Sequence, residues 1–253
     1  LRGVAFCWFQ QNQIEKAQDV LRELLKINPK APAPEATISE FYRQNGDAKN
    51  ADKWLQAALT TSPNNFSTQL MAAQQAVASG HFDEGRNYAI AASKLDPKSL
   101  DSQILQATIA AYEKNYVTAE LLFEAVLKKA PDNPAITNNL AMVLIQQNDP
   151  DKNKRALEFA EANIKKFPNS PPVASTYGYI LLQLGRLDEA EQALEKAKPI
   201  AGSDLDTAYT LARVAVERGH NDEARQYLEA ALKNTSPSLF RQESEELLSK
   251  LKK

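Results

Sequence analysis

Cysteine is almost missing from this chain of 253 residues. Cys7 stands alone, so no internal disulfide can form, and one thiol without a neighbouring histidine offers neither a metal site nor an activated nucleophile. Cys7 is expected in a helix seam. Histidine is nearly as scarce, with only His81 and His220, in SGHFDEG and RGHNDEA. The sequence has no pair of histidines at i, i+4, no Cys-x-x-Cys and no glycine loop of the phosphate-binding kind, so no metal and no cofactor is expected. No apolar run approaches the ~18 residues that suggest a membrane span. An excess of either charge is missing too: residues 1–133 carry 14 basic and 15 acidic side chains, and 134–253 carry 16 and 17. Neither half has the basic footprint of a nucleic-acid binder. Leu1 opens inside a helical pattern, without an initiating methionine or a signal-like charged flank, as an excised fragment would.

What is present is periodicity. Thr176–Lys198, TYGYILLQLGRLDEAEQALEKAK, reads as two amphipathic helices joined by a tight turn. Gly178 and Ala190 allow close approach, Gly185 ends the first helix, and Asp188 and Glu189 open the second, where acidic groups favour the positive helix end. Large apolar residues from Tyr177 to Leu194 fill the seam at helical spacing. One such hairpin cannot bury its own apolar face.

The rest of the chain repeats it. Pro29, Pro63, Pro97 and Pro131 stand 34 residues apart, and Pro168 follows after 37. Twelve residues before each proline is a small residue: Ala17, Ala51, Gly85, Ala119 and Ala156. The rule extends to Ala190 and Ala224. Twelve residues further upstream, most copies have another, from Ala5 and Ser39 to Gly178 and Ala212; Ala141 joins them once the longer fifth copy is allowed for. Asn65, Ser99, Asn133, Ser170, Asp204 and Ser238 fall at one register as helix N-caps. Gly46, Gly80, Gly185 and Gly219 fall at another, where a left-handed stop is wanted; Asn12 replaces them in the first copy, and the fourth departs with Lys114. The fifth copy carries three additional residues within QQNDPDKNKRA, read as a longer turn between its two helices. Pro32 and Pro34 suggest a rigid turn into the second copy.

This pattern resembles the tetratricopeptide repeat family over essentially the whole chain. The resemblance implies an all-α fold, a right-handed superhelical solenoid of about seven helix–turn–helix repeats. They would form a single array: 1–31 (partial), 32–65, 66–99, 100–133, 134–170, 171–204 and 205–238, with 239–253, LFRQESEELLSKLKK, as a terminal capping helix.

It also implies that a concave groove is lined by positions 2, 5, 9, 12 and 13 of each repeat, with position 6 beside them. In repeats 2–4 these positions hold residues such as Ala36, Val77 and Thr108; in repeats 5–7 they are richer in hydrogen-bonding and aromatic groups. Asn offers a donor and an acceptor together, and Tyr and Arg are frequent anchors. Asn138, Asn139, Met142, Thr176, Tyr179, Tyr209 and Arg213 are therefore the candidate partner-binding residues. The basic residues by which some family members clamp a chaperone carboxylate are missing; only Asn139 matches that pattern. No catalytic constellation is found, and a non-catalytic scaffold holding a peptide or partner protein is expected. A self-association module, or the regulatory arm of an enzyme encoded outside this stretch, remains an alternative, and the oligomeric state stays open. Residues 134–253 are similar to the C-terminal arrays of bacterial proteins of exosortase (PEP-CTERM) sorting and exopolysaccharide systems, which favours a bacterial periplasm or envelope over cytoplasm.

Overall fold

The structure, a computed structural model, describes residues 1–252. Among the described residues it holds fifteen α-helices, one short 3-10 segment and no strand. Contacts divide the chain into two compact units, Leu1–Leu105 and Gln106–Lys253.

The N-terminal unit contains α1 (Arg2–Gln10), α2 (Ile14–Ile27), α3 (Pro34–Gln44), α4 (Ala48–Thr61), α5 (Phe66–Ala78) and α6 (Phe82–Leu95). The boundary falls inside α7 (Leu100–Tyr112). The C-terminal unit continues with α8 (Tyr116–Leu127), α9 (Pro134–Ile145), α10 (Pro150–Lys166), α11 (Pro171–Gln183), α12 (Leu187–Leu194), α13 (Leu205–Glu217), α14 (Asn221–Ala231) and α15 (Arg241–Leu251).

Within each unit the helices form antiparallel pairs at the places the small residues require. Ala5 and Ala17, Ala141 and Ala156, and Ala212 and Ala224 are all fully buried. Gly178 is the tightest of these seams: a Cβ there would lie 2.5 Å from Leu194 Cγ. Aromatic packing closes the N-terminal unit, where Phe9 meets Phe41 at 5.4 Å and Tyr42 at 4.8 Å between ring centroids. In the C-terminal unit Leu181, Leu194 and Leu211 gather around Ala174 and Ala190.

Each first helix ends the same way. Asn12, Gly46, Gly80, Lys114, Asn148, Gly185 and Gly219 all have φ between 57° and 78°. After Asn12, Gly46, Gly80, Lys114, Gly185 and Gly219 the next N–H bonds back to a carbonyl near the helix end, as Arg186 does to Leu181 O at 2.9 Å. Lys114 thus keeps the backbone of its register despite its side chain, and Asn115 caps α8 by accepting from Thr118 N.

Four expectations are corrected. Asn148 keeps the stop register of the fifth repeat, so its three additional residues do not lengthen the turn; they extend α10 to 17 residues, with Asp149 accepting from the N–H groups of Asp151 and Lys152. Pro150 at the first helical position costs no hydrogen bond there. The second helix of repeat 6 is cut to eight residues, because Pro199 would clash with a preceding carbonyl, and the chain passes into a 3-10 turn at Lys198–Ile200. Cys7 is exposed rather than in a seam. Ser238 caps no helix, and the terminal helix begins only at Arg241.

The longer α10 carries Lys152 and Arg155 to the flank of α8. Lys152 Nζ lies 2.7 Å from Glu120, and Arg155 reaches both Glu120 at 3.3 Å and Glu124 at 2.6 Å. Burial works against the Glu120 charge, but the Lys152 ammonium and the Gln147 amide outweigh it and hold the carboxyl below its ordinary range. Glu120→Ala should cost about 1–2 kcal/mol in urea unfolding. Asp83→Ala, which removes an exposed pair within one helix, should stay within about 0.5 kcal/mol.

Candidate functional site

The candidate residues sit on the first helices of repeats 5, 6 and 7, which are α9, α11 and α13. Side-chain bonds connect repeat 5 to repeat 6, and another lies within α13. Asn138 Nδ2 donates to Thr176 Oγ1 at 2.8 Å, and Gln146 Nε2 donates to the Tyr179 hydroxyl at 2.9 Å and lies 3.8 Å from Met142 Sδ. Arg213 Nη1 donates to the Tyr209 hydroxyl at 3.2 Å. Asn138 Oδ1 is buried and has no hydrogen-bond partner among the described residues.

Asn138, Asn139, Met142 and Thr176 line a cavity of about 210 Å³. Thr108 and Tyr112 of α7, Asp204, Asp206 and Leu239 complete the part of its wall that matters for chemistry. The cavity therefore offers amide and hydroxyl groups beside two carboxyls and the side chains of Met142 and Tyr112.

Tyr179 and Tyr209 do not belong to that open surface. An unobstructed inner wall is expected at these positions, but Phe240 fills it. Its ring stacks on Tyr179 at 4.7 Å with a 30° interplanar angle, and on Tyr209 at 4.9 Å with 25°. The three rings exclude water from one another: Tyr179 is 5% exposed, Tyr209 7% and Phe240 3%. Burying three aromatic faces outweighs leaving two of them wet in an empty groove.

Polar contacts hold the same segment in place. Asp206 accepts the Ser238 hydroxyl and, at 3.0 Å, the Leu239 N–H. Ser238 Oγ also accepts from Phe240 N at 3.0 Å, a turn bond outside any helix, since α15 begins only at Arg241. Arg241 donates to the carbonyls of Asn234 and Ser236, and Glu243 pairs with Lys114 at 2.6 Å, raising the lysine pKa through that hydrogen bond. Beyond it, Leu247, Leu248 and Leu251 of α15 pack on the core formed by Ala212, Ala215 and Leu228.

Asp206 is the most perturbed acid of the site. Burial above all pushes its pKa up to about 6, with the Asp204 charge adding to it and the Ser238 and Leu239 hydrogen bonds opposing. Burial likewise pushes Tyr112 up to about 12, reinforced by Asp206 and Asp204. Burial raises Tyr179 too, against the Gln146 hydrogen bond.

Of the residues named from the sequence, Asn138, Asn139, Met142 and Thr176 line this cavity and Tyr179 and Tyr209 lie under Phe240, while sequence reasoning misses the contacts of Ser238, Leu239, Phe240 and Glu243. A signal was present. Counting on from 205–238, an eighth repeat would begin at 239, which places Phe240 and Glu243 at its groove-facing positions 2 and 5. An aromatic residue there is out of place on a polar cap.

Models of the tetratricopeptide repeat match residues 3–31, 36–65, 70–134 and 209–241, together more than half of the chain. A model described as anaphase-promoting complex, cyclosome, subunit 3 matches residues 113–197. No curated protein sequence matches this chain. Among solved structures, a tetratricopeptide repeat protein from Parabacteroides merdae is similar with a TM-score of 0.74 at 13% identity, over 99% of this chain and 97% of that one. Cut9, in the APC/C hetero-tetramer Cut9–Hcn1, is similar with a TM-score of 0.67 at 16% identity, over 98% of this chain and 48% of the other. PilW, a type IV pilus biogenesis factor, gives 0.64 at 15% identity, over 87% of this chain and 97% of that one. At these identities the likenesses speak for the fold alone. Small residues buried in each hairpin, a left-handed stop after each first helix and matching repeat models along most of its length together establish that this chain belongs to the tetratricopeptide repeat family.

Proposed function

We propose that this chain is a non-catalytic scaffold that binds a partner protein through an extended peptide laid along α9, α11 and α13. The reading rests on the cavity of about 210 Å³ beside Asn138, Asn139, Met142 and Thr176, together with the unpartnered oxygen of Asn138. Family membership supports the general role of a protein-interaction scaffold. Asn139 is placed to bond the peptide main chain, while Met142 and Tyr112 offer faces for an apolar side chain. Tyr179, Tyr209 and Arg213 belong to the same proposal only in a state where Phe240 has left its seat. A bacterial envelope setting is also proposed, on the resemblance of residues 134–253 alone.

Affinity capture tests the reading. The full chain and a variant with Asn138→Ala, Asn139→Ala and Met142→Ala are used as bait side by side. Proteins kept by the first are expected to be lost, by about tenfold or more, from the second while helicity stays unchanged. Equal recovery from both baits would remove this cavity from the binding surface.

A further inference from the structure

The seat formed by Asp206, Tyr179 and Tyr209 is built like a peptide site and is already taken. Its occupant, the segment Pro237–Phe240, belongs to no helix, and it presents a serine hydroxyl, a backbone N–H and an aromatic ring to three groove-facing side chains. We propose that this segment is an intramolecular ligand, and that the external partner presents the same chemistry: a hydroxyl, any residue, then an aromatic ring, entering the seat when the segment leaves. The inference rests on the groove-binding reading above and specifies its partner.

Release of the segment is local. The apolar side of α15 is held separately by Leu247, Leu248 and Leu251, so its core contacts persist while the first turn of the helix frays. The ion pair that would break, Lys114–Glu243, has both side chains more than one-third exposed and contributes little. The loop before the segment is exposed at Lys233, Thr235 and Ser236, and the bonds Arg241 makes to the Asn234 and Ser236 carbonyls break as the segment leaves.

The exchange is close to balanced in contacts, because the incoming ring and hydroxyl replace those that leave. A tethered segment nonetheless competes at an effective concentration on the order of millimolar. An outside peptide overcomes it only with contacts the segment does not make. The cavity adjoining Leu239 supplies them, since a longer peptide runs on past the seat to Asn138, Asn139 and Met142. Selectivity then comes from two places: the seat reads the hydroxyl and the ring, and the cavity reads the flanking residue.

The test uses the full chain and a labelled synthetic peptide of its own residues 234–246, NTSPSLFRQESEE, followed by fluorescence anisotropy. The Phe240→Ala chain is expected to bind this peptide at least about tenfold more tightly than the unaltered chain, and a peptide with alanine in place of the phenylalanine is expected to lose that binding. No binding to the Phe240→Ala chain, or equal binding to both chains, overturns the proposal when circular dichroism shows the variant folded. Should the variant unfold, amide exchange of the unaltered chain decides. Leu239 and Phe240 N–H groups exchanging well before those of Leu228 and Ala231 support local release, and exchange at a common rate overturns it. The groove reading fails separately: if captured partners ignore the triple cavity variant, that reading falls, whereas partners lost from the triple variant but no better bound by Phe240→Ala leave the groove standing and remove the self-ligand.

Discussion

Ala190→Glu is expected to lower the stability of the C-terminal unit by on the order of 4 kcal/mol. Ala190 is fully buried among Leu181, Leu194 and Ala197, in the hairpin where Gly178 already brings two helices together. A glutamate there must carry its carboxyl into an apolar seam and also push α11 and α12 apart. Urea unfolding followed by circular dichroism measures the loss. Gly178→Ala isolates the steric part: its new Cβ would fall 2.5 Å from Leu194 Cγ, and a cost of about 1–3 kcal/mol is expected. Gly202→Ala, with open space around it, should change little. If Ala190→Glu unfolds at the same urea concentration as the unaltered chain, the small residues are not what sets the helix spacing.

The second large effect is a pH dependence centred on Asp206. Its pKa moves from 3.8 to about 6, chiefly through burial, so the folded chain holds a proton that the unfolded chain releases between those values. Stability from this group is therefore greatest near and below pH 4, declines as pH rises through about 6, and is flat above that. The total swing is on the order of a few kcal/mol. Asp206→Asn should abolish it, because the amide does not titrate yet keeps an oxygen for the Leu239 N–H. The observable is the difference in urea midpoint between the variant and the unaltered chain, compared at about pH 4.5 and about pH 7.5. The variant should gain on the original as pH rises. A difference independent of pH would show that Asp206 is not buried as described.

The repeat was legible because its signals are local. Small residues at fixed spacing, a polar residue before each first helix and a left-handed residue after it each act within a few residues of their position. Asn65, Asn133 and Asp204 accordingly cap as expected. Local rules also failed in instructive ways. Asn148 occupies the left-handed register that glycine holds elsewhere, since its short polar side chain tolerates that conformation, and this moved the three additional residues from a turn into a helix. Ser238 sits at the capping register, yet its hydroxyl donates to Asp206, 32 residues away in sequence, while its oxygen accepts from Phe240 N outside any helix.

The same division runs through the candidate site. Asn138, Asn139, Met142 and Thr176 could be placed together from their register, because a repeating backbone brings equivalent positions onto one face. That Tyr179 and Tyr209 would lie beneath Phe240 could not be read that way, because 61 and 31 residues separate them from it in sequence. By itself the amino-acid order determined the helical hairpins, their period and most of their turns, all of which follow from interactions over one repeat or less; the face each first helix offers was implied by the family resemblance. Only the tertiary structure decided what fills that face. Whether a buried ring is better placed on its own chain or left for a visitor depends on distances between remote segments, and no local pattern encodes those distances.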